Sequence, residues 1–173
     1  MKTIFLILYE LRIIPVKFYA KLIGVRIGRD CNIQHVNFSS EPYLIKIGNH
    51  VQITSGTRFF THSGGWVLRE KYPDWDVFGK IIIGNNVYIG NSCLIMPGVT
   101  IGNNVIVGAG SVITKSLPDN VVVAGNPAKI ISDIDTFEKK NLRFNAKTGT
   151  LKNKKRILLN LNSSFFIKRD ILK

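Results

Sequence analysis

The chain has 173 residues, 45% of them hydrophobic and 20% charged, which suits one packed domain with short appendages and excludes a disordered or fibrous chain. Its two cysteines, Cys31 and Cys93, allow at most one disulfide and lack the paired spacing of a metal site, so a reducing, cytoplasmic setting is expected. The formal charge is +13, and residues 132–173 carry eleven Lys or Arg against four Asp or Glu, a net +7; such a run could touch nucleic acid, an anionic membrane or a polyphosphate ligand, but reads first as a solvated basic face, and no nucleic-acid partner is expected.

The first element is MKTIFLILYELRIIPVKFYA, read as an amphipathic helix over residues 1–24. Its apolar run is Thr3 to Tyr9, after which Glu10 and Arg12 intrude, far short of the roughly 20 apolar residues that cross a bilayer. Lys17-Phe18-Tyr19-Ala20 does not supply the small residues of a signal-peptide cleavage site. The helix is expected to lie on the end of the main domain or on a membrane surface, which leaves peripheral contact with the inner membrane face open.

Residues 25–131 carry an internal repeat. Ile47, Ile53 and Phe59, then Ile83, Ile89, Ile95, Ile101, Val107 and Ile113, stand at every sixth position, and the second series stays in phase with the first. Val51, Thr57, Val87, Cys93, Val99, Val105 and Ser111 fill the place four residues on. One bulky and one small residue in six is neither the 3.6 period of a helix nor the period of 2 of a simple strand. It suits six-residue rungs, three to a triangular turn, stacked as a parallel β-helix. The fold class expected is therefore an all-β solenoid of hexapeptide repeats whose two open ends need covers. An earlier pair, Ile27-Gly28 with Ile33, is out of phase by two, so a loop or bulge is expected at about 35–46. Cys93 falls in the small interior slot and reads as packing.

Between Phe59 and Ile81 the repeat stops for a loop over 60–80, HSGGWVLREKYPDWDVFGK following Phe60-Thr61. Trp66, Tyr72 and Trp75 offer flat apolar faces to sugar rings, and Arg69, Glu70, Asp74 and Asp76 offer hydrogen bonds to hydroxyls. Packing on a neighbouring subunit explains the aromatics equally well. Beyond the repeat, residues 132–173 form a basic, partly helical extension, with a short helix near Ile134 to Phe144.

Residues 81–131, above all MPGVTIG at 96–102, GAGSVITK at 108–115 and AGNPAK at 124–129, closely resemble the hexapeptide-repeat acyltransferases, which include maltose, galactoside and xenobiotic acetyltransferases and polysaccharide sugar O-acetyltransferases. The resemblance implies a left-handed β-helix, a homotrimer with sites in the clefts between subunits, and acetyl-CoA as cosubstrate. It also implies a histidine base just before a protruding loop, the place of His62. Imidazole can take a proton from a hydroxyl as it attacks a thioester, an effect commonly worth about 100- to 10,000-fold. An acidic residue often follows that histidine; here Ser63 stands instead, so Glu41 and Asp76 become candidates to orient the ring or to bind the acceptor.

By motif position, the resemblance places Tyr88 and Asn91 beside the pantetheine arm, Ala109 and Gly110 where it passes closely, and Thr114, Lys115 and Lys129 at the phosphate-bearing end. Glu41, Trp66, Arg69 and Asp76 are the acceptor candidates. His35 offers a further option for the acceptor site, while His50 reads as a solvated corner. The spacing of His35, His50 and His62 does not resemble the zinc set of the carbonic anhydrases that share this fold, and no metal is expected. The function expected is acetyl transfer from acetyl-CoA to a hydroxyl of a carbohydrate acceptor, in a bacterial surface polysaccharide or its precursor. Acetylation of an amino sugar or a small xenobiotic, and a non-catalytic scaffold, are the alternatives.

Overall fold

The computed structural model describes residues 2–149 of the chain, so the expected basic extension lies outside the described residues from 150 to 173. Among the described residues, those through Ile134 form one compact unit and those from Asp135 to 149 a second. Among the described residues, no helix is long and apolar enough to cross a membrane.

The single helix expected at the amino end is in fact two, α1 (Lys2–Glu10) and α2 (Val16–Leu22). Pro15 is the cause: it has no N–H with which to continue α1, and its φ of −62° suits the start of α2. Arg12 turns the chain between them at φ 58°. Tyr9 and Tyr19 stack at 4.2 Å, and the Tyr9 hydroxyl donates to Val36 O at 2.6 Å while accepting from Val36 N at 2.9 Å. The helices therefore cover the apolar end of the first coil, which a stack of coils leaves open.

The strands that follow are two or three residues long: β1 (Arg26–Ile27), β2 (Asn32–Ile33), β3 (Ile45–Ile47), β4 (Val51–Ile53), β5 (Arg58–Phe59), β6 (Ile81–Ile83), β7 (Val87–Ile89), β8 (Leu94–Ile95), β9 (Thr100–Ile101), β10 (Val105–Val107) and β11 (Val112–Ile113). They visit three parallel sheets in turn: β1-β3-β6-β9, then β2-β4-β7-β10, then β5-β8-β11. Val87 pairs with Val105 and Leu94 with Val112, so one circuit takes eighteen residues. The second sheet continues through β12 (Val121–Gly125) to β13 (Ala128–Asp133), which turns back antiparallel. The last residue of the first unit starts α3 (Ile134–Asn141), which leads to a 3-10 turn, Leu142–Phe144.

All nine hexad residues from Ile47 to Ile113 are buried, and so are the small residues four places on. Each buried aliphatic contributes roughly 1.5–3 kcal/mol relative to exposure, so the period is set by one bulky side chain per rung. Cys93 is wholly enclosed, and burial pushes its thiol pKa up, as a packing residue requires.

Two departures from this regularity position the site. Phe59 pairs with Ile95, thirty-six residues on, and Ile45 with Ile81, also thirty-six on, so the loop over 60–80 adds eighteen residues, one circuit's worth, without making a coil. That is why the repeat stays in phase. One coil earlier, Asn37 bridges Arg58 and Ile47 pairs with Ile27, and the chain takes extra residues between Asn37 and β3, where it forms the 3-10 turn Pro42–Leu44. Both departures fall at the same corner of the triangle, between the third and first sheets, in adjacent coils.

Candidate active site

His62 stands three residues beyond Phe59, where the chain leaves the coil. The loop is pinched at its neck: Ser63 N donates to Val77 O at 3.0 Å, Gly79 N donates to Thr61 O at 2.8 Å, and His62 bridges Phe78. Gly79 is required there, since a Cβ would lie 2.2 Å from Gly98 N on the next coil. The loop is thereby held against the stack, while the His62 side chain stays 46% exposed.

The corner below supplies its partner. Glu41 Oε2 lies 3.0 Å from His62 Nδ1 and accepts the Thr61 hydroxyl at 2.6 Å. Ser39, in the left-handed conformation at φ 65°, places its Oγ 2.9 Å from Thr61 Oγ1. Thr61 has one hydroxyl proton and gives it to Glu41, so Ser39 donates to Thr61 in a short relay that ends on the carboxylate. The Thr61 hydroxyl, and after it the His62 ring, hold the Glu41 carboxyl below the usual glutamate range against an opposing push from burial. An ionised Glu41 accepts the proton on Nδ1, which leaves the lone pair of the neutral ring on Nε2, the nitrogen available to an acceptor.

The other acceptor candidates lie along the loop. Asp76 pairs with Arg69, whose Nη2 lies 2.5 Å from Asp76 Oδ1, and the Arg69 Nε donates to Trp75 O at 3.2 Å. Of the two carboxylates considered for His62, Glu41 makes the contact and Asp76 serves the loop. Trp66 is 80% exposed at the start of a 3-10 turn, and Tyr72 packs near Trp75 with ring centroids 5.6 Å apart. His35 lies elsewhere, stacked on Tyr9 at 4.5 Å and 3.2 Å from Glu10 Oε2. His50 sits at a corner with φ 53°, its Nδ1 2.8 Å from Asn86 Oδ1. Among the described residues, no group of His, Cys, Asp and Glu could hold a metal ion.

The residues expected to meet the acyl donor occupy three places. Thr114 and Lys115 follow β11 on the corner of His62, two coils further along, roughly 10 Å at the usual strand spacing. Asn91, Ala109 and Gly110 share the next corner, where Gly110 N donates to Asn91 O at 2.8 Å. A Cβ on Gly110 would meet nothing within 4 Å, so this edge is bare. Tyr88 projects from the second sheet beside a depression of 380 Å³ shared with Gln52 and Ile106, and Lys129 is exposed on β13. Thr61 and Ser39 carried no signal in the sequence, because neither residue type is unusual there and their contact depends on the extra residues one coil earlier.

Comparison with known proteins places this geometry. The bacterial transferase hexapeptide family (six repeats) matches residues 80–115. Protein CapG of Staphylococcus aureus is 52% identical over 164 residues, 92% of this chain and 94% of that protein. The maltose O-acetyltransferase of Clostridium difficile 630 superposes with a TM-score of 0.59 at 32% identity, over 64% of this chain and 59% of that one. A hexapeptide-repeat acetyltransferase of Vibrio cholerae, solved in complex with acetyl coenzyme A, superposes with a TM-score of 0.53 at 30% identity, over 64% of this chain and 61% of that one.

Proposed function

The chain belongs to the bacterial transferase hexapeptide family and is an acyltransferase; from that premise we propose that it transfers acetyl from acetyl-CoA to a sugar hydroxyl, with His62 as general base. The acceptor class proposed is a carbohydrate of a bacterial surface polysaccharide or its precursor. The named activity of the maltose relative and the exposed Trp66 support a sugar. The observation that carries the reading is the pairing of His62 Nδ1 with Glu41 at the one corner where the coil opens.

His62 Nε2 takes the proton of the acceptor hydroxyl as its oxygen bonds to the acyl carbon, and Glu41 stabilises the resulting imidazolium across 3.0 Å. When the carbon–sulfur bond breaks, the same nitrogen returns the proton to the departing thiolate. Thr61 and Ser39 hold Glu41 and do not meet the reacting atoms. Acetyl-CoA supplies the activated acyl group. Lys115 and Lys129 are exposed cations suited to its phosphates, and the bare edge at Ala109 and Gly110 suits its narrow arm. Because the bare edge at Ala109 and Gly110 lies on a different corner of the coil from His62, we also propose a homotrimer whose clefts join the edges of neighbouring copies, its coils left-handed as the family resemblance implies.

The test is thiol release from acetyl-CoA by wild type and His62→Ala over a panel of hydroxyl-only sugars and amino sugars. Release is expected to require a hydroxyl acceptor and to fall about 100- to 10,000-fold in the variant. Activity on an amine that survives the substitution would make an amino group the acceptor. Failure to bind coenzyme A or to release thiol with any acceptor would leave a non-catalytic scaffold.

A further inference from the structure

The two amino-terminal helices leave unexplained a surface that the proposed reaction does not use. Tyr9, Tyr19 and Ala20 face the coil, yet many of the residues turned away from it are large and apolar too. Ile4, Ile7, Leu11, Ile13, Phe18 and Leu22 are all exposed, and Leu11 and Ile13 reach 65% and 63%. A helix that rests on a core with one face normally turns a polar face to water. Here α1 is apolar on both sides.

The charges around this surface have one sign. Arg12, Lys17 and Lys21 are exposed among the apolar residues. Glu10 is the single acid between Ile4 and Gly24, and it is engaged with His35 at 3.2 Å. Large apolar side chains set among cations, on helices too short to span a bilayer, fit the boundary between headgroups and acyl chains. There the apolar residues enter the hydrocarbon edge while lysine and arginine heads stay at the phosphate level. A second copy is a poorer occupant, because pairing this face with itself would set three cations of each copy together with only Glu10, already engaged with His35, as a counter-charge on either side.

We propose that α1, the turn at Leu11 to Ile13, and the outer side of α2 form a docking surface for an anionic phospholipid membrane, holding the coil against the bilayer without crossing it. The inference is independent of the acceptor and of the reaction, and the residues it uses lie outside the site around His62.

The experiment is co-sedimentation of the full chain with vesicles of phosphatidylcholine alone or with about a third phosphatidylglycerol at moderate salt. Wild type is expected to sediment with the anionic vesicles and to lose most of that binding on the neutral ones. Lys17→Gln with Lys21→Gln is expected to weaken binding roughly 30-fold, and Ile7→Gln with Leu11→Gln at least about tenfold. Thiol release and the circular dichroism spectrum should be unchanged in both. If the apolar pair does not fold, Phe18→Gln on α2 and the lysine pair carry the same test. The proposal fails if wild type ignores both vesicles. It fails equally if every variant sediments like wild type, which would move membrane binding to the basic carboxyl end. Loss of self-association by light scattering in the apolar variants, with no vesicle binding by wild type, would assign the face to a second copy.

Discussion

Two corners of the same triangle behave in opposite ways. Between the first and second sheets the chain repeats one solution: Asn49 N donates to Asn85 Oδ1, Asn85 N to Asn103 Oδ1 and Asn103 N to Asp119 Oδ1, while His50, Asn86, Asn104 and Asn120 all adopt positive φ. Between the third and first sheets the chain departs from the pattern in two successive coils, and Glu41 and His62 emerge from those departures. A corner that must stack on its neighbours has no freedom to carry chemistry. A corner released from the stack can point a base and its partner outward, provided that the coils on either side hold the neck in place.

The comparison is broken most severely by giving each corner the same side chain. A Cβ on Gly84 would lie 2.6 Å from Gly102 O, and the backbone there is held by the coil above. Gly84→Val is expected to cost about 3 kcal/mol or more, read as a fall in the urea midpoint. Gly64 has nothing within 4 Å of its added Cβ, so Gly64→Val should stay within about 0.5 kcal/mol. Equal losses at the two positions would mean that the open corner is as closely packed as the closed one.

A finer cut removes the charge on Glu41 and keeps its shape. Glu41→Gln loses a hydrogen bond between charged groups in the imidazolium state, worth about 1.5–3 kcal/mol, so kcat is expected to fall roughly 10- to 150-fold with acceptor KM little changed. Stability gives a second readout. The folded carboxyl ionises more readily than the unfolded one, so its contribution is complete above the ordinary glutamate value of about 4.3 and fades as pH falls through the lower folded value. Thermal melts of wild type should show that acid-side loss, and Glu41→Gln should lack it. A variant that keeps both kcat and the slope would remove Glu41 from the site.

How much of this was legible follows from the physics of each part. The interior of the coil was readable from spacing because each rung buries one large side chain in one slot, so Ile47 to Ile113 declare their places without knowledge of their neighbours. The loop at 60–80 was readable as a break. The Glu41–His62 pair was readable only as one of two options, since it joins residues twenty-one apart through extra residues in the lower coil, and nothing local ranked Glu41 above Asp76. Ser39 and Thr61 were invisible for the same reason. At the amino end the aliphatic pattern suggested one helix, and the break at Pro15 was the one local residue that argued otherwise. The exposure of its outer apolar residues follows from which side meets Val36, a contact across twenty-seven residues that no local pattern encodes.

The smallest effect comes from Trp66, and it separates the two readings of the loop aromatics. The ring is 80% exposed. If it stacks on the sugar, Trp66→Ala loses a contact worth about 0.5–1.5 kcal/mol, so acceptor KM should rise roughly 2- to 12-fold with kcat and the melting temperature unchanged. If it packs on a neighbouring copy, KM stays put while the melting temperature falls and becomes dependent on protein concentration, because assembly then contributes to stability by mass action. A substitution that moves neither quantity would remove Trp66 from both roles and leave the ion pair of Arg69 with Asp76 as the polar feature of the loop to test next against the acceptor.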